Sequence, residues 1–285
     1  PKTRLIAHRK RLAGARHRES MSVFADLHVH TTNSDGAMAL DEVPEAARSA
    51  GVSVVAITDH DRLHPDLSTP VTVVDGVTVV HGIELRVEPP NGERVDLLAY
   101  GVYPTKDLAA ELQRLQADRK ERGRAIVECV EDRLGVDLDV EVREGIGRPH
   151  VARSIAAHPD TDHDDVGDAF AELIGNGGPC YVARDVTGFQ RGVELLSDAS
   201  GLVGLAHPFR YDDPAAALEL TSELDAVERY YPYGRDVDPR PVEKAIADHD
   251  LVPTGGSDAH DDALGEAGLS KPEYRHFRSA VSLGN

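Results

Sequence analysis

The chain has 285 residues and a mass of 30.8 kDa, a length typical of one large α/β domain or of a barrel with an inserted lobe. It contains no apolar run near the roughly 18 residues that a membrane-spanning helix needs. Its two cysteines, Cys129 and Cys180, are too few for a disulfide scaffold or a four-cysteine zinc site. The composition therefore excludes an integral membrane protein and predicts a reducing, cytoplasmic location.

The net charge is −19, and it is unevenly distributed along the sequence. Residues 1–20 contain seven basic residues and one acid, so they carry +6 and the other 265 residues carry −25. Multimolar salt screens such like-charge repulsion, so this composition, with its scarce lysine, predicts a halophilic protein from a haloarchaeal cytoplasm. The alternative is an ordinary acidic surface that maintains solubility. In either case we expect no binding of duplex DNA through its phosphates.

The basic segment 1–20 is predicted to be a disordered leader, or to precede a true start at Met21. An arm that binds RNA phosphates is the alternative interpretation.

In chain order, short β-branched apolar runs alternate with segments of helical period, which is typical of βα units around a parallel sheet or barrel. Two helices are predicted between them, from Asp41 to Ala50 and from Pro241 to Asp248. The predicted strands are Val23 to Leu27, Ser53 to Thr58, Thr78 to Glu84, Val95 to Tyr100, Leu202 to Ala206, Ala226 to Tyr230 and Leu251 to Thr254.

One stretch interrupts the alternation. Between residues 104 and 200, leucine, isoleucine and valine recur at helical spacing, as at Leu108, Leu112 and Leu115. This pattern predicts a mostly helical lobe, 104–200, inserted into a barrel formed by 21–103 and 201–285.

Metal-ligating residue types follow several of the predicted strands. His28 and His30 lie at i and i+2, so both imidazoles point to the same side of the first strand. His60, Glu84, His207, Asp258 and His260 lie at the ends of four further strands. The carboxyl ends of parallel barrel strands form a single face, and active sites are built there.

The ligand types narrow the choice of metal. Nitrogen and carboxylate ligands without thiolate favour Mn²⁺, Fe²⁺ or Zn²⁺. There are too many ligands for one ion, and a carboxylate such as Glu84 can bridge two cations. The sequence therefore predicts a cluster of divalent metal ions.

From Asp26 to His260 the sequence resembles the PHP family, named for polymerase and histidinol phosphatase domains. Within that family it is most similar to the branch of RNase AM type 5′-3′ exoribonucleases and 3′,5′-nucleoside bisphosphate phosphatases. The shared elements are Gly147-Arg148-Pro149-His150, Tyr181-Val182, Ala206-His207-Pro208 and Gly256-Ser257-Asp258. The resemblance implies a distorted seven-stranded TIM-like α/β barrel with a helical insertion.

The resemblance also implies three metal ions. His28, His30, Glu84 and Asp258 are expected to hold the first ion. Asp35, His60 and His260 are expected to hold the second, and Glu84, His150 and His207 the third. The role of His150 depends on the resemblance alone.

Other residues are assigned supporting roles. Arginines near the expected ligands are candidates for binding substrate phosphate, namely Arg148, Arg153, Arg184 and Arg210. Asp26 and Asp59 are expected to orient the metal-binding imidazoles, and Glu228 is a ligand or a similar supporting residue. His81 is expected to be structural, and both cysteines are expected to be inert packing residues. The histidines expected to face solvent are His64, His158, His163, His249 and His276.

A metal cluster of this kind suits phosphoester hydrolysis by a metal-bridged hydroxide. The leading hypothesis is a metal-dependent phosphoesterase that acts on short 5′-phosphorylated single-stranded RNA or on 3′,5′-nucleoside bisphosphates. One alternative is a small-molecule phosphomonoesterase of the histidinol phosphatase type. A second is a non-catalytic metal-binding module.

Overall fold

The computed structural model of the chain describes residues 22–281. The predicted basic leader, 1–20, and the predicted start at Met21 lie outside these residues. No described helix is long and apolar enough to cross a membrane.

The described residues form nine strands and eight α-helices. The strands are β1 Ala25–Val29, β2 Val54–Ile57, β3 Val71–Val74, β4 Val77–Glu88, β5 Val95–Tyr100, β6 Thr187–Gly188, β7 Leu202–Leu205, β8 Ala226–Tyr230 and β9 Val252–Gly255. The helices are α1 Val43–Ser49, α2 Lys106–Leu134, α3 Arg148–Ala157, α4 Val166–Ala169, α5 Phe189–Ala199, α6 Pro214–Glu219, α7 Arg240–His249 and α8 Lys271–Val281. A π-helical turn, Phe170–Ile174, continues α4 directly.

Seven strands form a curled sheet in the order β1-β2-β4-β5-β7-β8-β9, and these are the seven that the sequence predicts. Two short strands, β3 and β6, pair with β4 outside this path. The sheet curls far enough for a single parallel bridge to join Val29 to Ala259, beyond the end of β9. The architecture is therefore an α/β fold with a strongly curled sheet.

The expectation of a purely parallel sheet is wrong at β5. This strand runs antiparallel to both β4 and β7, whereas the other neighbours on the path are parallel. The cause is the short connection between β4 and β5, residues 89–94. A parallel neighbour needs a crossover of a dozen or more residues, usually a helix, so a connection of this length returns the chain as an antiparallel strand.

The sheet is covered on one side by α5 and by the first half of α2. Leu85 of β4, Leu97 of β5 and Leu205 of β7 share one buried cluster with Leu112 of α2 and Leu196 of α5. The long helix α2 therefore begins on the sheet and leaves it at its second half.

The second half of α2 forms a separate core with the helices that follow. Ile126 and Val130 pack there with Ile155 of α3, Leu173 and Cys180. This core lies within the lobe that the sequence predicts. It places α3 and the segment around Tyr181 against α2.

The expectation for the cysteines is wrong. Cys129 of α2 and Cys180 form a disulfide across 51 positions of sequence. Cys129 lies at the edge of the lobe core and Cys180 is buried in it, so the bond ties the chain beside Tyr181 to the long helix. Spacing alone does not predict such a pair, because the two cysteines become neighbours only when the lobe folds.

Two histidines predicted to face solvent are buried. His64 and His163 each expose 7% of their surface. His64 belongs to the loop between β2 and β3 and lies close to the buried His81. His163 packs in the lobe with Nε2 3.4 Å from a carboxylate oxygen of Glu172.

Candidate metal centre

The first ligand group joins three strands at one end of the sheet. His28 projects from β1, His30 from the position just after its end, Glu84 from β4, and Asp258 from the turn after β9. The Nε2 atom of His30 lies 3.1 Å from Asp258 Oδ1, and Nε2 of His28 lies 3.5 Å from Glu84 Oε1. These are the four residues that the sequence analysis assigns to the first ion.

A glycine makes this arrangement possible. A Cβ atom on Gly256 would lie 2.3 Å from the backbone nitrogen of His28, a separation that no side chain tolerates. Because Gly256 has no Cβ, the turn that carries Asp258 lies directly against β1.

The second group shares His30 with the first. Asp35, His60 and His260 gather around it. The Nε2 atoms of His260 and His60 lie 3.3 Å and 3.8 Å from Asp35 Oδ1. The three residues expected to hold the second ion are therefore adjacent, with His30 as a possible fourth ligand.

The third group differs from the expected set. Glu84 and His207 lie together, with 3.0 Å between Oε1 and Nε2, but the residue beside them is Asp96 of β5. Asp96 Oδ2 lies 3.8 Å from His207 Nε2.

His150 is absent from all three groups. Its Nδ1 accepts a hydrogen bond from the backbone N–H of Gly147 at the start of α3. The side chain lines a different surface cleft, together with Arg143 and Arg153. The structure does not bring His150 together with Glu84 and His207, so its expected role as a ligand of the third ion stays a prediction.

The buried ligand atoms show where a cation fits. Within the described residues 22–281, several nitrogen and oxygen atoms of the first two groups are buried and lack a hydrogen-bond partner. These atoms are His28 Nε2, His30 Nδ1 and Nε2, Asp35 Oδ1 and Glu84 Oε2. Unpaired buried polar atoms are costly, so their concentration here indicates that the first two groups are built to coordinate metal.

The histidines of the centre lower the pKa values of its carboxylates. Burial alone would raise the pKa of Asp258, but the adjacent imidazoles of His28 and His30 outweigh it and hold the pKa well below its usual range. Burial would likewise raise the pKa of Glu84, and His60 and His28 bring it well below its ordinary value. Both carboxylates are therefore ionised, which is the state that binds cations.

Glu228 on β8 positions two of the histidines. Its Oε1 lies 3.1 Å from Nδ1 of His28, and its Oε2 accepts a hydrogen bond of 2.8 Å from the backbone N–H of His207. Glu228 is fully buried. A carboxylate on the far nitrogen of a metal-binding imidazole fixes the ring and its tautomer.

Asp26 and Asp59 act differently from the expected contact with imidazoles. Asp59 accepts hydrogen bonds from the backbone and hydroxyl of Thr31 and from the hydroxyl of Ser34. Asp26 accepts from the backbone and hydroxyl of Ser257. Both carboxylates thus order the loops beside the ligands, and the imidazole contact belongs to Glu228.

The three groups open into one cavity of about 930 Å³ between the sheet and the lobe. The cavity wall is rich in arginine, although the chain as a whole is strongly acidic. These arginines are Arg86, Arg94, Arg119, Arg122, Arg148, Arg184 and Arg210. A concentration of guanidinium groups beside metal ligands is suited to a substrate with more than one phosphate group.

Three of the four predicted substrate arginines line this cavity. Arg210 donates a hydrogen bond of 2.8 Å to Asp258 Oδ2, and Arg184 donates one to the buried carboxylate of Asp61. The Arg148 guanidinium lies over the rings of Phe170 and Tyr181, 5.5 Å and 5.7 Å from their centroids.

Arg153, the fourth, lies outside the cavity. Its Nη2 donates to the backbone carbonyl of Asp35 at 3.1 Å, and the side chain is exposed. It supports the loop that carries a ligand and is poorly placed to bind substrate.

Sequence reasoning missed Asp61, which joins the sheet to the lobe. This fully buried carboxylate binds the guanidinium groups of Arg119 and Arg184. Its position beside His60 gave no signal of this role. It also missed Asp96, the one acidic residue in the otherwise apolar strand β5.

The curled sheet, with buried histidine and carboxylate groups at the ends of its strands, has the arrangement expected of a metal-dependent hydrolase. The chain belongs to the PHP domain family, whose model matches residues 26–201.

Curated relatives in this family are enzymes that act on phosphate esters. The chain is 30% identical to a phosphoribosyl 1,2-cyclic phosphate 1,2-diphosphodiesterase of Eggerthella lenta, over 82% of this chain and 93% of that protein. It is 28% identical to a 3′,5′-nucleoside bisphosphate phosphatase of Chromobacterium violaceum, over 68% and 70%. A 5′-3′ exoribonuclease of Haemophilus influenzae is 27% identical, over 66% and 69%. These relatives support an enzyme over the non-catalytic alternative.

Solved structures share the fold. A protein of Bifidobacterium adolescentis, named as a predicted metal-dependent phosphoesterase, superimposes with a TM-score of 0.75 at 22% identity, over 90% of this chain and 96% of that one. An amidohydrolase structure from Chromobacterium violaceum, with bound sulfate and no metal, gives a TM-score of 0.71 at 23% identity, over the same shares.

Proposed function

We propose that the protein hydrolyses a phosphoester of a ribose-based substrate that carries more than one phosphate group. The preferred candidates are a 3′,5′-nucleoside bisphosphate and the 5′-phosphorylated end of a short single-stranded RNA. The observation that carries this proposal is the opening of the ligand groups into a cavity walled by arginines.

Divalent ions bound by these groups would supply a hydroxide nucleophile near neutral pH and neutralise charge on the reacting phosphoryl group. The protein's own residues position the reacting phosphate. Arg210 donates to both Tyr231 and Asp258 and lines the cavity, so its remaining donors are available to phosphoryl oxygens.

Two further arginines are suited to a second phosphate. Within residues 22–281, neither Arg122 nor Arg148 forms an ion pair with a carboxylate. Arg122 donates to the carbonyl oxygen of Val182, and Arg148 donates to Ile174 and Asn176. Burial and then the nearby Arg148 lower the pKa of Arg122 to about 10. An incoming phosphate would relieve this repulsion between guanidinium groups.

A second candidate substrate is a cyclic phosphate of a phosphorylated ribose. Its support is the Eggerthella lenta relative, which matches the chain over more of its length than the other two relatives do. This substrate also carries two phosphate groups, so the same cavity suits it.

The experiment is product analysis by mass spectrometry on protein loaded with Mn²⁺ in multimolar KCl. The substrates are a 3′,5′-bisphosphorylated nucleoside, a 5′-phosphorylated RNA oligomer, and phosphoribosyl 1,2-cyclic phosphate. We expect phosphate release from the bisphosphate or stepwise release of mononucleotides from the RNA. Ring opening of the cyclic phosphate alone would establish the second candidate.

The control is Asp258→Asn, which keeps the shape of the side chain but removes the charge that faces His28 and His30. We expect turnover to fall by about 100-fold or more, with an unchanged circular dichroism spectrum. Absence of hydrolysis of all three substrates by metal-loaded protein would overturn the proposal in favour of a small-molecule phosphomonoesterase. Undiminished activity in Asp258→Asn would place the chemistry elsewhere.

A further inference from the structure

The third ligand group differs from the first two in how its carboxylate is used. Asp96 lies directly opposite Arg86 in the antiparallel pairing of β4 and β5. Arg86 Nε lies 2.7 Å from Asp96 Oδ1, and Nη2 lies 2.5 Å from Oδ2. The guanidinium therefore occupies both oxygens that a cation would use.

The ligand atoms of this group that face one another are also engaged, whereas Glu84 Oε2, which lacks a hydrogen-bond partner in the described chain, faces His30 and His60 of the first two groups. Nε2 of His207 is within hydrogen-bond distance of Glu84 Oε1. Among residues 22–281, neither oxygen of Asp96 is a buried atom without a partner, and His207 lacks a partner only at Nδ1, the ring nitrogen that is not bonded to Glu84. The first two groups, by contrast, contain several buried ligand atoms without a hydrogen-bond partner in this part of the chain.

Burial makes the choice between Arg86 and a metal ion energetically important. Asp96 exposes 1% of its side chain, whereas Arg86 exposes 35% and lines the cavity. Charges interact strongly at buried sites. A guanidinium is always protonated in proteins, so Arg86 stays charged. A third divalent ion would have to bind against this fixed positive charge.

The charge balance is satisfied with two metal ions. Of the four carboxylates in the three groups, Asp96 is neutralised by Arg86, which leaves those of Asp35, Glu84 and Asp258. The buried Glu228 beside His28 adds a fourth negative charge. Two divalent cations neutralise these four, and Arg210 adds positive charge that a substrate phosphate can meet.

We propose that this protein binds two divalent ions tightly and that the guanidinium of Arg86 takes the place of the third. Arg86 is then a positioning residue for Asp96 and His207 and determines the metal stoichiometry. This inference rests on the proposed metal centre but not on the identity of the substrate.

The test is metal counting without substrate. Protein is equilibrated with Mn²⁺, freed of loosely bound metal by gel filtration, and analysed by inductively coupled plasma mass spectrometry. We expect two ions per chain in the native protein and three in Arg86→Ala, because Asp96 becomes free to coordinate. The double variant Arg86→Ala, Asp96→Asn should return to two.

Two further variants control for charge and fold. Arg86→Lys keeps the positive charge and should hold two ions. This variant still tests the inference if circular dichroism shows that Arg86→Ala does not fold. Arg94→Ala removes a neighbouring cavity arginine that pairs with Glu88 and should also hold two. Three ions in the native protein, three in Arg86→Lys, or two in a folded Arg86→Ala would each overturn the inference. A protein with two ions that hydrolyses none of the candidate substrates would overturn the proposed function alone.

Discussion

His81 lies on β4 three residues before Glu84, so the two side chains project from opposite faces of the strand. It exposes 2% of its surface, and within the described part of the chain neither ring nitrogen has a hydrogen-bond partner. Burial, followed by the neighbouring His64, lowers the pKa of His81 to about 4. The ring is therefore neutral in the folded protein, in agreement with the structural role that the sequence predicts.

This neutral histidine makes stability depend on pH. The ordinary pKa of a histidine is 6.5, so the unfolded chain binds the proton first as pH falls. The contribution of His81 is complete above pH 6.5 and is lost as pH falls from 6.5 to 4, by about 3 kcal/mol. We expect His81→Leu to flatten the decline of unfolding free energy in this window, measured by urea denaturation of metal-free protein.

The matched control is His276→Gln, at an exposed histidine of α8. The unfolding free energy of this variant should decline with falling pH as that of the native protein does. An equally steep decline in His81→Leu would show that other groups cause the acid sensitivity.

At single residues, the structure brings together the predicted ligands that lie at strand ends, and it departs from the predicted set where long-range contacts decide which side chains meet. His28 and His30 are apparent from alternation along one strand. Asp96 is not, because its proximity to His207 arises from the pairing of β5 with β7. His150 has the residue type of a ligand, but the first turn of α3 holds its ring through Gly147.

At the scale of elements, the seven central strands were predictable because each is a short apolar run that ends at a polar residue. The direction of β5 was not predicted, since it depends on the length of the connection from β4. The strands β3 and β6 were also missed, since they consist of four and two residues and contribute little to the core.

The disulfide between Cys129 and Cys180 stabilises the lobe, because it links α2 to the segment that carries Tyr181. Closing a loop of 51 positions is expected to contribute about 4 kcal/mol to the free energy of unfolding. Reduction with a phosphine should therefore lower the denaturant midpoint. We expect the lobe to unfold first after reduction, because the disulfide holds the segment with Tyr181 and Val182 against α2. The contacts of Tyr181 with Arg148 and of the Val182 carbonyl with Arg122 depend on that placement.

The control is the double variant Cys129→Ser, Cys180→Ser, whose midpoint should be lower than that of the native protein and insensitive to the reductant. Thiol titration of unfolded, unreduced protein should find no free cysteine. Two titratable thiols in that experiment would contradict the bond.

At the scale of the whole molecule, the acidic surface and the arginine-lined cavity are complementary. The net charge of −19 repels a free anion at long range, whereas the cavity arginines attract it at short range. Salt at 1 M shortens the Debye length to about 3 Å, from about 10 Å at 0.1 M. High salt thus weakens the long-range repulsion while partly buried guanidinium groups keep most of their attraction.

The same charge predicts that the protein requires salt for stability. Like charges on the surface destabilise the compact state, so we expect the thermal unfolding midpoint to rise from dilute buffer to multimolar KCl. Three exposed acids on α2 outside the ion pairs of the described chain, Glu121, Glu128 and Asp132, can be changed together to their amides. This variant should unfold at a higher temperature than the native protein in dilute buffer and approach it in concentrated KCl, because screening makes the removed charges irrelevant. An identical difference at both salt concentrations would mean that the acids act by local contacts, and a midpoint independent of KCl would reject adaptation to high salt.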